Sequence, residues 1–334
     1  MIKDSLKSKL QKLPPFGVFY FQGYFAVYSL QCYLGMKLKC PYCHHQRDPK
    51  NAARTIRKIG TYYRKSDGQH LKRFWCFRCG KSFSAATTSS SKGQKKRHLN
   101  TPIKDLLNGL MSQREIARVL KINRKTVVRK FRFSASTAKQ ELRSWNQKFQ
   151  KCTEVEFDDL ETFEHTKCKP LSVTLMVEYK TRRILGFEVA QMPAKGHIAH
   201  YSRKKYGPRA DHRPIARNKL FQEMTELVHS NARIRSDSNP SYPAVVKRFF
   251  PNSKHEMVLG GRGAVVGQGE LKKLHWDPIF SLNHTFAMLR ANINRLIRKT
   301  WCTTKRPSEL AGHIALYALA HNKRLAATQW GASL

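Results

Sequence analysis

Two Cys-X-X-Cys pairs constrain the fold of this chain more than any other feature. They are Cys40 with Cys43 and Cys76 with Cys79, and 32 residues separate one pair from the other. This spacing lets both sulfurs of a pair reach one tetrahedral ion, and two such pairs close a structural zinc site. Gly80 permits the tight turn that the second pair needs. We therefore predict a structural Zn²⁺ held by the four cysteines.

The segments between the two pairs are typical of strands. "TYYRKS" and "HLKRFW" are rich in aromatic and other strand-favouring residues, so a zinc ribbon is expected over residues 36–86. His44 and His45 are alternative ligands. The other interpretation is a set of four ordinary buried thiols.

The net charge indicates the class of partner. The chain has 63 Lys and Arg against 22 Asp and Glu, which gives a formal charge of +41 and a pI of about 10.3. Such a chain repels itself unless a polyanion neutralises it, and the usual polyanion is nucleic acid. A membrane surface is the alternative. The 40% hydrophobic residues exclude a merely basic disordered tail.

The other cysteines and the N-terminus bear on the compartment. The single cysteines are scattered, which favours a reducing compartment and hence the cytoplasm: Cys32, Cys152, Cys168 and Cys302. Residues 16–35 carry no charge and are long enough for a membrane span or a signal sequence. We favour an N-terminal extension over residues 1–35, ahead of an internal start at Met36, and expect no membrane partner.

Residues 100–150 are predicted to form a helix-turn-helix and a helical connector. In "SQREIARVLKINRKTVVRKF", Ser112 is expected to cap a helix with Glu115 three residues later, and "LKIN" makes the turn. The second helix is basic, and four side chains are expected to face a DNA major groove: Arg124, Lys125, Arg129 and Lys130. The alternative is a helical hairpin with a solvated basic face.

Residues 152–325 are predicted to form a mixed sheet covered by helices, of the α+β or α/β class. The segments "TEVEFDDL", "LSVTLMVEY", "RILGFEVAQM" and "ARIRSD" are strand-like, and helices are expected near 217–230, in "YPAVVKRFF" and from about 279 onward. A basic loop is expected over residues 195–216.

Acidic residues, scarce elsewhere, crowd into one stretch. Six of the 22 lie between Glu154 and Glu164. Alternation along a strand puts Glu154, Glu156 and Asp158 on one face. One interpretation pairs these carboxylates with Lys and Arg. The sharper one is that Asp158 holds a divalent metal ion, because carboxylates in a nucleic-acid-binding protein are costly unless a cation separates them from phosphate.

A second acid ends a later strand. Asp237 follows an apolar run and precedes a turn at Asn239 and Pro240. Carboxylates at the carboxyl edge of a sheet are where α/β sites collect. The alternative role for Asp237 is an Asx-turn or a helix cap.

The order of these motifs resembles that of bacterial transposases of the insertion-sequence-one type. The resemblance covers most of residues 36–325 and rests on "FDDLETF", "RSDSNPSY" and "NHTFAMLRANINRLIRKTWCTTKRPSEL". It implies an RNase-H-like domain over residues 152–325, with an acidic triad that binds two Mg²⁺ ions, for which Mn²⁺ can substitute. Water and then a DNA 3′-OH would be the successive nucleophiles.

By this resemblance Asp158 and Asp237 match the first two acids of the triad, with Asp159 at the position of an accessory acid. The third position, usually glutamate, falls on Asn283, and Arg290 is the basic residue seven positions later. Asparagine can offer a neutral oxygen to Mg²⁺ but removes one negative charge. Glu270 is the fallback acid. Glu161 and Glu164 are expected to pair on the surface.

The sequence thus predicts a DNA transposase that binds the double-stranded ends of an insertion sequence and cuts and joins DNA. A homo-oligomer in the synaptic complex and a place on the bacterial nucleoid follow from the resemblance. The alternative is an inactive or domesticated relative that acts as a DNA-binding regulator.

Overall fold

The computed structural model describes residues 38–48, 51, 54–259, 277–297 and 302–329. The predicted N-terminal extension (residues 1–35), Met36 and Glu270 lie outside these ranges. No helix within them combines the length and hydropathy that crossing a membrane requires. The chain divides into two compact units, with the boundary after Arg97.

The first unit contains a three-stranded antiparallel sheet in the order β1-β2-β3. Its strands are β1 (Ile56–Arg64), β2 (Gln69–Cys76) and β3 (Lys81–Ser84). The two strand-like segments between the cysteine pairs do form β1 and β2, although β1 begins earlier than expected. A small core holds the unit together, and its buried members are Cys40, Ile56, Cys76 and Phe83.

The second unit is a mixed α+β structure with a five-stranded sheet and flanking helices, as predicted. The strands are β4 (Cys152–Phe163), β5 (Pro170–Glu178), β6 (Ile184–Gln191), β7 (Val228–Asp237) and β8 (Lys254–Val258). The helices are α1 (Asn100–Asn108), α2 (Gln113–Val119), α3 (Arg124–Asn146), α4 (Ile198–Tyr206), α5 (Arg213–Met224), α6 (Tyr242–Phe249), α7 (Phe280–Asn292) and α8 (Pro307–Gln329). Two elements were not predicted: β8, and α4 within the basic loop.

The sheet has the order β6-β5-β4-β7-β8. β5 runs antiparallel to both of its neighbours, β4 and β6, whereas β4 runs parallel to β7 and β7 to β8. The seven residues from Leu171 to Val177 in β5 are all buried, so both faces of this strand are covered, and five of the seven are apolar. Its two faces belong to different cores: one is covered by α3, α7 and α8, and the other by α5 and α6.

The predicted helix-turn-helix segment is helical and packs on the sheet's first core. The side-chain oxygen of Ser112 accepts a hydrogen bond from Glu115 N at 3.2 Å, as the capping pattern predicted. The chain turns at residues 120–123, and Asn123 then caps α3 through Lys125 N at 2.8 Å. The expected connector is not a separate element, because α3 runs unbroken for 23 residues.

The C-terminal end of α3 is fixed to the sheet by a buried amide pair. Asn146 Nδ2 donates to the carbonyl oxygens of Ile184 and Leu185, both at 3.0 Å. Asn322 of α8 accepts from Ile184 N at 2.9 Å and donates to Asn146 Oδ1 at 3.2 Å. The core therefore joins residues 100–150 and 152–325, which the sequence analysis treated as separate domains, in one compact unit.

The crossing of α3 and α8 depends on a glycine. A Cβ atom at Gly312 would lie 2.8 Å from Ala135 Cβ and 3.1 Å from Phe131 Cζ. Neither neighbour is the end of a flexible side chain, so the two helices would have to separate.

Gly312→Ala is expected to destabilise the protein by about 1–2 kcal/mol, measured by urea unfolding, because the overpacking cost of ~1–3 kcal/mol exceeds the helix-propensity gain of at most ~1 kcal/mol. The reciprocal double variant Ala135→Gly with Gly312→Ala moves the methyl group to the other helix and should recover most of the loss. Equal stability of wild type and the single variant would show that the helices do not meet at this glycine.

Candidate functional sites

The four predicted cysteines come together at one end of the small sheet. Their sulfur atoms all lie within 4.8 Å of one another. Cys40 Sγ lies 3.6 Å from Cys79 Sγ, and Cys43 Sγ lies 3.6 Å from Cys76 Sγ, which are too long for disulfide bonds. Neither His44 nor His45 joins the group. The cluster could bind a metal ion such as zinc through four thiolates.

The two cysteine turns have matching backbones. Gly80 follows the second pair with φ +65°, as the tight-turn prediction requires, and His44 takes φ +56° after the first pair. Burial raises the pKa of Cys40, but hydrogen bonds from the backbone N–H groups of Cys43 and Tyr42 outweigh it and lower the value to about 7. In the same cluster, burial raises the pKa of Cys79 to about 12, so without a metal ion only part of the cluster ionises near neutrality.

Four of the six acids between Glu154 and Glu164 are paired with a cation. The pairs are Glu154–Arg235 at 2.8 Å, Asp159–Arg217 at 3.5 Å, Glu161–Lys195 at 2.8 Å and Glu164–Arg209 at 3.8 Å. The surface pairing expected for Glu161 and Glu164 is thus present. Within the described part of the chain, Glu156 and Asp158 have no such partner, although the protein has cations in excess.

The sheet places Asp158, in the middle of β4, level with Asp237 at the end of β7. In the parallel β4–β7 ladder Glu156 lies opposite Arg235, and each aspartate is two residues further along its strand. The two carboxylates are close enough for the charge of Asp237 to raise the pKa of Asp158. The sequence therefore identified two acids that the fold places together.

Asp158 is largely withdrawn from solvent. Its Oδ1 accepts hydrogen bonds from Asp159 N at 2.6 Å and from the Tyr242 hydroxyl at 2.9 Å. Burial raises the pKa of Asp158 to about 7, and the charge of Asp237 contributes to the rise. A carboxylate shifted by burial and a like charge, level with the end of the neighbouring strand β7, is a candidate functional group.

Asp237 combines both roles that the sequence left open. Its Oδ1 accepts from Asn239 N at 3.1 Å, which is an Asx-turn. Burial raises its pKa, and the charge of Asp159 adds to this, so the carboxylate also belongs to the acidic group. The turn orients the side chain at the start of α6.

Asp159 is held differently from Asp158. It accepts a hydrogen bond from Thr174 Oγ1 and pairs with the buried guanidinium of Arg217 on α5. That guanidinium also donates to Ser241 Oγ and lies 5.1 Å from the centre of the Tyr242 ring. Asp159 therefore has a cation of its own, and its contacts suit a supporting role.

Glu156 is a functional candidate that the sequence analysis did not single out. Its side chain is fully buried, and Oε2 accepts a hydrogen bond from Leu282 N at 2.8 Å in the first turn of α7. No hydrogen bond reaches Oε1. Burial raises its pKa to about 7, with the charge of Asp277 among the lesser contributions. Only its place on the same strand face as Asp158 could have signalled it.

Asn283 follows Leu282, the residue of α7 that donates a hydrogen bond to Glu156, but no hydrogen bond joins Asn283 to Asp158 or Asp237. Its Nδ2 donates to Asp277 Oδ2 at 2.9 Å, and Asp277 Oδ1 accepts from Ile279 N at 3.1 Å. Arg290 is half-buried in the last turn of the same helix. Among the described residues, the cysteines alone form a group of three or more acidic, Cys or His ligands within 4.8 Å.

Three of the four basic residues proposed for DNA contact lie on an exposed surface of α3. Arg124, Lys125 and Arg129 are exposed, and no described carboxylate pairs with them. For Lys130 the prediction of an outward-facing side chain is wrong. Only 6% of this residue is exposed, because its position on α3 turns it toward the helical core beside Phe131. It therefore does not face outward with the other three.

Comparison with other proteins adds no family assignment. No protein-family model matches the sequence, and no curated protein is significantly similar to it. The case for a function therefore depends on the motifs and the site geometry.

Replacing one cluster cysteine should remove the metal. The wild-type chain is expected to carry one Zn²⁺ by elemental analysis, and Cys76→Ser should carry far less. Because structural zinc contributes directly to folding, metal loss should expose residues 54–84 to hydrogen exchange while residues 98–259 stay protected. Cys168→Ser, outside the cluster, should leave both measurements unchanged. Full zinc content in Cys76→Ser would contradict the four-cysteine site.

Asp158→Asn should stabilise the metal-free protein in a pH-dependent way. The folded-state pKa of about 7 exceeds the ordinary value of 3.8, so ionisation of Asp158 destabilises the fold as the pH rises through this window. Asparagine cannot ionise, so the variant's advantage should grow from pH 4 to pH 7 and reach about 1–3 kcal/mol. Urea unfolding across this range measures it.

Asp211→Asn is the control with the opposite sign. Its ion pair with Arg213 lowers the pKa of Asp211, so losing the carboxylate should weaken the fold slightly at neutral pH and not in acid. An advantage of Asp158→Asn that is the same at pH 4 and pH 7 would show that Asp158 is not shifted.

Proposed function

We propose that this protein is a DNA transposase of an insertion sequence, which cleaves and rejoins DNA strands with Mg²⁺. The observation that carries the proposal is the pair Asp158 and Asp237. These carboxylates lie level with each other on β4 and β7, and no described cation pairs with Asp158 in a protein of charge +41. A divalent ion would relieve their repulsion.

The donor set suits magnesium. Mg²⁺ prefers oxygen ligands and is bound by one or two carboxylates together with substrate phosphates. Asp158 and Asp237 would hold the ion, with Asp159 supporting them, and Mn²⁺ would substitute. When bound, the metal would polarise the scissile phosphate and stabilise the charge that develops on it. The mixed sheet is compatible with the RNase-H-like arrangement that the motif resemblance implies.

The protein's own residues position and limit this site. The Tyr242 hydroxyl fixes one oxygen of Asp158, and the Asx-turn at Asn239 fixes one oxygen of Asp237. Each carboxylate thereby presents its other oxygen to a ligand. Arg217 neutralises Asp159 and leaves the adjacent pair as the focus of negative potential.

Asn283 is the proposed third ligand, and α7 is docked beside the site through Glu156. As a neutral ligand it would bind Mg²⁺ less strongly than glutamate. The exposed Arg124, Lys125 and Arg129 on α3 would hold duplex DNA, and a zinc ribbon formed by the cysteine cluster would support binding to the element ends.

The second candidate function is a DNA-binding regulator that has lost cleavage. It is favoured by one observation: the amide of Asn283 contacts Asp277, and within the described residues Asp158 and Asp237 belong to no group of three acidic, Cys or His ligands within 4.8 Å of one another. Binding without cutting would be the outcome for such a protein.

Cleavage of a labelled duplex taken from the DNA that flanks the gene tests the proposal. With Mg²⁺ the wild type should nick this duplex. Asp158→Asn and Asp237→Asn should each reduce nicking by more than ~100-fold, because a residue that binds the metal directly should matter more than one that only orients a metal ligand, whose loss costs at most about 100-fold. Binding measured by mobility shift should persist in both variants.

Asn283→Glu separates the two candidate functions. If Asn283 occupies the third ligand position, the extra charge should strengthen metal binding and increase nicking at low Mg²⁺. Nicking by neither the wild type nor this variant, in Mg²⁺ or Mn²⁺ and with binding intact, would refute the transposase and leave the regulator.

A further inference from the structure

Residues 192–212 form an excursion from the sheet that is closed at its base. It leaves at the end of β6 and returns where His212 N donates to Gln191 O at 3.1 Å. Arg209 ties the two ends together, because its Nε donates to Met192 O at 3.3 Å and its Nη2 to Pro170 O at 3.4 Å. The excursion carries α4 and is called the basic arm below.

The basic arm leaves the sheet on the carboxyl-terminal side of the paired aspartates. Gln191, the last residue of β6, lies level with Thr162 of β4, whereas Asp237, the last residue of β7, lies level with Asp158. The base of the arm is therefore four residues, or roughly 13 Å, further along β4 than the aspartates. Ser202 Oγ on α4 donates to Cys168 O at 2.6 Å, which fixes the helix to the loop after β4. Lys195 pairs with Glu161 near the end of β4.

Three cations of the arm form no ion pair in the described chain, although Lys205 Nζ lies 5.6 Å from the centre of the Tyr206 ring. The arm contains five Lys and Arg residues and one acid. Lys195 and Arg209 face glutamates of the β4 end, whereas Arg203, Lys204 and Lys205 are exposed and no described carboxylate pairs with them. Adjacent like charges repel, and a backbone with regularly spaced phosphates would relieve this.

The two tyrosines of α4 are used in different ways. Tyr206 faces the protein, where Lys169 Nζ lies 4.6 Å from its ring centre and His165 packs against its edge. Tyr201 is 69% exposed, and among the described residues its ring contacts only His200. An exposed aromatic ring beside unpaired cations is the combination that binds unpaired nucleotides, through stacking and phosphate contacts.

We propose that the basic arm binds single-stranded DNA on the carboxyl-terminal side of the paired aspartates, where the strand would extend beyond the acidic site. Arg203, Lys204 and Lys205 contact the phosphates, and Tyr201 stacks on an unpaired base. A duplex does not fit this role, since its base faces are covered by neighbouring bases. The inference rests on the proposed function, because it takes DNA to be the substrate, and it adds the strand form that the site receives.

The test compares a blunt duplex with the same duplex carrying a 3′ overhang of about six nucleotides. Asp158→Asn is the parent, so that no cutting occurs, and affinity is measured by fluorescence anisotropy at several salt concentrations. Adding Tyr201→Ala should weaken overhang binding by between about 5-fold and 100-fold, as loss of one base stack does, and leave blunt binding unchanged. Tyr201→Phe should keep the parent's affinity.

The charges are tested by the salt dependence. Replacing Arg203, Lys204 and Lys205 by alanine should reduce the slope of log affinity against log salt by about 2 for the overhang, at ~0.7 per phosphate contact. Lys247→Ala with Arg248→Ala is the matched control, because both side chains are exposed on α6 and pair with no described carboxylate. This control should change the slope far less per charge.

Equal overhang binding by Tyr201→Ala and its parent, or the same slope change per charge in the control, would overturn the inference. Absence of any DNA binding by the wild type would overturn the proposed function as well. Binding of the overhang through Tyr201 without any nicking would support the arm and contradict the transposase, so the two failures are distinguishable.

Discussion

The second unit depends on how α3 is anchored. One end of this 23-residue helix presents exposed arginine and lysine, and the other end is fixed by Asn146 and Asn322 around the backbone of Ile184. Buried amides are costly when unpaired, so this arrangement tolerates few alternative placements of α3 and α8. At 1.5 Å per residue the helix spans roughly 35 Å. The exposed end of α3 is therefore joined rigidly to β6, with no flexible connector between them.

The pairing of charges is a second constraint on this unit. In a chain of +41, carboxylates find cations easily, and four of the six acids around β4 do so. Glu156 and Asp158 form no ion pair among the described residues, and burial raises the pKa of each to about 7. Such groups weaken the fold at neutral pH. A cation bound beside Asp158 and Asp237 would offset this cost, and perturbed carboxylates of this kind are usual at functional sites.

Local patterns predicted much of this, and tertiary contacts account for the rest. The cysteine spacing, the capping of α2 by Ser112 and the strand alternation around Asp158 are each decided within a few residues, and the structure has all three. Lys130 was misplaced because helical periodicity gives a side chain's direction only when the partners of the helix are known. Glu156 was missed for a related reason: its partner, Leu282 N, lies 126 residues away and is a backbone group without a sequence signature.

The contacts of Asn283 add to what the sequence motif implies about this residue. A carboxamide has one donor end and one acceptor end, and only the donor end can face a carboxylate. The contact from Nδ2 to Asp277 therefore leaves Oδ1, the atom a hard cation would bind, without a described partner. Outer carboxylates orient metal ligands in this way. Asp277 Oδ1 in turn accepts a hydrogen bond from Ile279 N, which holds its carboxylate in place. Position 283 lacks an acid, but Asp277, six residues earlier, keeps the neutral oxygen of Asn283 available to a cation. A glutamate at position 283 would instead face Asp277 with a like charge.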